Sequence, residues 1–156
     1  MRRVVHSGWV VSALLLLPNI LWLAFPGPQS TSSQVGGPPS WVVRLQPVGM
    51  ALRVTGFALP FFLTLDFGRF EARAALVVAS LALCFYYAAW YRYFTHGRQL
   101  SLLFNSWLGV PVPLAIAPVV YLAAASVLTR SVLLGIVTCA FGIVHILVSV
   151  MVSRTL

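Results

Sequence analysis

The chain has 156 residues, 60% of them hydrophobic and 8% charged, with a mean hydropathy of +0.96. Soluble domains carry about a quarter charged residues and, at this size, hide only about two-thirds of their chain surface. This composition excludes a soluble enzyme, a disordered chain and a disulfide-stapled module. The expected fold class is all-α, a polytopic transmembrane helical bundle.

The charge pattern agrees. All ten basic residues are Arg, the acids are Asp66 and Glu71, and the net charge is +8. The Arg residues stand singly or in pairs between apolar runs. That distribution suits headgroup anchoring and topology setting, not a nucleic-acid-binding face. The lipid bilayer, with its anionic phospholipids, is thus the expected partner, and no nucleic acid is. Cys84 and Cys139 lie inside apolar runs as ordinary buried small residues, with no disulfide or redox role expected.

A bilayer-spanning helix needs about 20 mostly apolar residues. Five stretches qualify, over residues 8–25, 47–65, 74–94, 108–128 and 132–152. The first follows Arg2 and Arg3 and lacks a small-x-small cleavage site, so an uncleaved helix is expected rather than a signal peptide. Pro18 should kink it. The segment 26–40 is uncharged and rich in Gly, Pro and Ser, as befits an outer loop. The N-terminus is then cytoplasmic in a multi-pass protein of the cell membrane, of the bacterial inner-membrane kind. The second stretch is the weakest, because Arg53, Pro47 and Pro60 interrupt it. If Trp41 to Val54 lay along the interface, four spans would remain.

The third stretch ends in FYYAAWYRYF, with Tyr86, Trp90 and Tyr93 read as an aromatic belt at headgroup level. Gly97 should end that helix. The following THGRQLSLLFNSW reads as a short interfacial helix. Arg92 and Arg98 flank this corner and are candidate contacts for a headgroup phosphate or other anion, which a guanidinium grips in bidentate fashion.

Two spans carry polar and small residues at steps of three and four. The fifth has Gly135, Thr138, Gly142, His145 and Ser149 on one face. The second has Gly49, Arg53, Gly56, Pro60 and Thr64. Each stripe reads either as a close-packed seam or as the lining of a cavity with Arg53, Thr138, His145 and Ser149 as ligand contacts. Asp66 lies about 20 Å along a straight helix from Arg53, too far to pair. Arg53 must snorkel, use backbone carbonyls, meet an acid from another chain, or bind an anionic headgroup or solute. Asp66, Arg69, Glu71 and Arg73 suggest mutual pairing and helix capping. Pro111 and Pro113 suit a helix start, and Pro118 frees one carbonyl inside the fourth span.

No phosphate loop, CxxC pair or HExxH occurs. The three histidines, His6, His96 and His145, are far apart in sequence, and both acids sit in one loop. No catalytic set, cofactor or metal site is therefore expected, and an enzyme is disfavoured.

Residues 86–125 carry W-x-R-Y-F-x-x-G-R, then L-L-F, L-G-V-P-V-P-L-A and P-V-V-Y. This segment resembles a group of small bacterial integral-membrane proteins with a similar aromatic-Arg and Pro-x-Pro pattern. The resemblance covers about a quarter of the chain and implies no activity. It links Arg92, Arg98 and the Pro-x-Pro elbow.

Three functions fit these features: a small transporter or channel-like protein for a small or anionic solute, an accessory or structural subunit of a membrane complex, or a lipid-binding or lipid-modifying protein. A homo-oligomer or a larger complex suits each. A transporter should have a cavity reaching Arg53 or His145, a subunit a dry interior, and a lipid binder a lateral groove near Arg92.

Overall fold

The computed structural model describes residues 4–5, 8–25, 27, 39–99 and 101–154. Arg2, Arg3, His6 and nearly all of the Gly/Pro/Ser loop lie outside them. The chain is an all-α helical bundle. Helix α1 (Gly8–Ala24) precedes α2 (Ser40–Ala58), a 3-10 turn (Leu59–Phe62) and α3 (Phe70–Thr95). A single turn α4 (Ser101–Phe104), α5 (Pro113–Leu128) and α6 (Val132–Ser153) complete it. Strands β1 (Val4–Val5) and β2 (Leu65–Asp66) pair antiparallel, with Val4 opposite Asp66. By length and composition, α3 and α6 are long and apolar enough to cross a membrane.

The five long helices alternate in direction. Leu15 meets Tyr86 and Trp22 meets Tyr93, so α1 and α3 run parallel. Ser12 donates to the Phe57 carbonyl, and Gly8 abuts the Pro60 and Leu63 carbonyls, so α2 returns along α1. Gly49 faces Val144 and Gly56 faces Val137, which sets α2 antiparallel to α6. Gly142 faces Val119 and Gly135 faces Ser126, which sets α5 antiparallel to α6.

The core is built on small residues. Ala72, Ala75, Ala79, Ala82, Tyr86 and Tyr93 form a buried face of α3 at steps of three, four and seven. It packs on Ala117, Tyr121, Ala124, Ala125 and Leu128 of α5, the most extensive helix pair. Alanine side chains this small let the two helix backbones approach closely. The α5–α6 corner is equally tight. Ser131 N donates to Ser126 O and Arg130 N to Val127 O, a Schellman closure with Arg130 at φ +53°. Ser131 then caps α6, its Oγ accepting from Leu134 N.

Several boundaries differ from the sequence expectation. Helix α2 starts at Ser40, seven residues before Pro47, and ends at Ala58. Proline deletes only one ladder bond, so Pro47 sits inside the helix, while Pro60 opens the 3-10 turn that ends it. Helix α5 starts at Pro113, not Leu108, because Trp107 and Val110 close a two-residue turn whose Leu108 and Gly109 both have positive φ. The expected interfacial helix shrinks to α4. Gly97 does end α3, at φ +81°, with Arg98 N donating to Tyr93 O.

Asp66 does not cap α3. Its carboxylate accepts from Gly68 N and pairs with Arg69 Nε at 3.5 Å. Glu71 and Arg73 are exposed. Arg69 Nη2 donates to the Val127 carbonyl at 2.6 Å, which places a cation at the negative end of α5. Cys84 and Cys139 are free but exposed, not buried: each lies on the outer face of its helix.

Candidate functional site

The aromatic residues at the end of α3 turn inward. Tyr86, Trp90 and Tyr93 are buried, and only Tyr91 among their neighbours faces outward at 71% exposure. The belt expected at headgroup level is thus an internal stack. Tyr86 and Trp90 meet edge to face, as do Trp90 and Tyr93. The reason is that α1 supplies polar partners on that side. Asn19 Nδ2 donates to the Tyr86 hydroxyl and to Leu15 O, both at 2.8 Å, and Trp22 Nε1 donates to the Tyr93 hydroxyl. Pro18 leaves Leu14 O without a helical donor, and the Tyr87 hydroxyl fills that vacancy at 2.8 Å.

Across the bundle the two polar stripes converge. Arg53 Nη2 stands 3.4 Å from His145 Nδ1, a long hydrogen bond between α2 and α6. A guanidinium only donates, so Nδ1 accepts and the ring proton sits on Nε2. Phe141 stacks on the imidazole at 4.8 Å, and Phe57 meets Phe141 edge to face. These contacts hold the ring in one plane.

Arg53 and His145 line two spaces. One is an open pocket of about 140 Å³, to which Asn19, Tyr86, Trp90, Pro118 and Ser149 also contribute. The other is a groove of about 550 Å³ that runs between α2 and α6, past Gln46, Gly49 and Met50. Among the described residues, no carboxylate lines either space. Ser149 is buried and makes no described hydrogen bond, so its hydroxyl is open to the cavity. The buried Trp90 N–H has no hydrogen-bond partner among the described residues. Helix α5 contributes Leu114 and Pro118, and Pro118 leaves the Leu114 carbonyl without its helical donor.

Of the sequence-predicted contacts, Arg53, His145 and Ser149 therefore share one site. Thr138 does not: it is 1% exposed, its Oγ1 has no described partner, and it lines neither space. Arg92 lies over the Trp107 ring at 5.9 Å, and Trp107 stacks on Phe85. Arg98 sits at φ +55° beyond the α3 cap, and its carbonyl abuts Gly27. Asn19, Tyr86 and Trp90 join the site unexpectedly. The signal for Asn19 was present, since it is the one amide within the first apolar run.

Comparison with protein-family models, with curated proteins and with solved structures finds no match.

Proposed function

We propose that this chain is a multi-pass membrane protein that binds a small anionic solute in the cavity at Arg53 and His145 and passes it across the bilayer. The observation that carries the reading is Arg53. It bears a full charge beside the cavity, its described hydrogen-bond partner is a neutral imidazole nitrogen, and no acid lines the space. An intramembrane charge is expensive and asks for a counter-charge. A bound anion supplies one, and the Ser149 hydroxyl adds a neutral donor. The space equals roughly four to five water volumes. That suits a monovalent anion of three or four heavy atoms, such as formate, nitrate or acetate.

Five spans are the topology adopted here. The alternation of five long helices supports it, as does the unbroken packing of α2 along α6. Because α2 begins at Ser40, Arg53 stands thirteen residues into the helix, about 20 Å along its axis. Snorkelling to that end is out of reach; Ala58, at the other end, is about 8 Å away, and the hydrogen bond to His145 holds the guanidinium against α6.

The test is anion-dependent thermal stabilisation of the purified protein in detergent, with sodium formate, acetate, nitrate and sulfate at equal ionic strength. The small monovalent anions should raise the midpoint of wild type more than that of Arg53→Gln, whereas sulfate, excluded from protein surface, should stabilise both alike. Equal shifts in wild type and Arg53→Gln with the monovalent anions would refute the site.

A further inference from the structure

A second basic cleft lies at the opposite end of the bundle. Arg69, Arg130 and Ser131, with Val132, Ile136 and Cys139 of α6, line a groove of about 540 Å³. Its mouth is cationic. Arg69 is tied by Nη2 to the Val127 carbonyl and by Nε to Asp66, which leaves Nη1 uncommitted among the described contacts. Arg130 is exposed and has no described partner. Asp66 offsets one of the two guanidiniums, so the mouth carries a net charge of +1. Ser131 Oγ accepts from Leu134 N, so its proton remains free to donate. Below the mouth the lining turns apolar. Val132, Gly135, Ile136 and Cys139 follow steps of three, one and three, one face of α6. Val132 and Ile136 are 78% and 62% exposed on it.

We infer that this cleft holds one anionic phospholipid, its phosphate between Arg69, Arg130 and Ser131 and one acyl chain along Val132, Ile136 and Cys139. Charge and apolarity are ordered as a phospholipid orders them, with the phosphate outermost and hydrocarbon beneath. A free anion would leave the apolar face unused. A net-anionic lipid is attracted by the +1 mouth, whereas a zwitterionic lipid, neutral overall, is not. The site is separate from the Arg53 cavity, so either can fail alone.

Arg130 allows a clean test. It sits at φ +53°, where glycine is unstrained, so Arg130→Gly removes the cation without loosening the turn. The experiment is native mass spectrometry of the full chain with phosphatidylglycerol or phosphatidylcholine. In parallel, phosphatidylglycerol with a diazirine in one acyl chain is photocrosslinked and its adducts mapped. Wild type should prefer phosphatidylglycerol, with adducts at residues 132–139. Arg130→Gly should bind it about fivefold more weakly, the share of one surface cation, and lose those adducts while keeping its thermal midpoint. Unchanged phosphatidylglycerol binding in Arg130→Gly, or adducts confined to other helices, would overturn the assignment.

Discussion

The guanidinium of Arg53 and the imidazole of His145 stand 3.4 Å apart although 92 residues separate them in sequence. Neither residue has an acid at hand, and the pair lines both a small pocket and the groove between α2 and α6. Everything proposed for the cavity depends on this juxtaposition of α2 and α6.

The α5–α6 contact should tolerate no added bulk at Gly142. A Cβ there would lie 2.7 Å from Val119 Cγ1, closer than packed atoms come. Gly142→Leu should destabilise the bundle by about 1–3 kcal/mol, the range of overpacked cores. Thermal unfolding in mild detergent measures it. An unchanged midpoint would mean that this face of α6 is open.

Tyr87 should matter only because of Pro18. Its hydroxyl serves the Leu14 carbonyl that Pro18 leaves without a donor. Tyr87→Phe should destabilise by about 0.6 kcal/mol, typical of a hydrogen bond in a membrane bundle. In a Pro18→Ala background the residue 18 N–H is restored, and the same change should become neutral. A double-mutant cycle with no coupling would contradict this account.

Much of this was legible because polar residues in apolar runs stand out. The stripes at Gly49, Arg53 and Gly56 and at Gly135, Gly142 and His145 were visible from spacing alone. Their mutual register was not, since it depends on two chain reversals and the antiparallel fit of Gly49 to Val144 and Gly56 to Val137. The alanine face of α3 was missed because alanine gives no contrast against leucine and valine in a hydropathy reading. Tyr86, Trp90 and Tyr93 were assigned to the interface because aromatic residues near a helix end suit both places. Only the Asn19 and Trp22 partners on α1 decide between them. The start of α2 was misplaced at Pro47 because a proline inside a helix and one at its first turn look alike in sequence.

Five spans place both the Gly/Pro/Ser loop and the end of α6 on one side of the bilayer. Single cysteines at Ser33 and Ser153, in a chain with Cys84 and Cys139 replaced by Ala, should react with an impermeant maleimide from the same side of sealed vesicles. Both native thiols are exposed and would otherwise contribute. Labelling from opposite sides would require an even number of crossings between these two positions to be abandoned in favour of an odd one.

The most direct measurement is anion flux through the purified protein in sealed liposomes, with formate efflux followed against an imposed gradient. Wild type should release formate faster than empty liposomes. Arg53→Gln should fall to the empty-liposome rate while keeping a cooperative thermal unfolding transition, since it gives up the desolvation cost of the charge and retains an amide donor for His145. Arg53→Lys, which keeps the charge and loses the planar fork, should lie between them. Equal flux from wild type and Arg53→Gln would contradict the central claim.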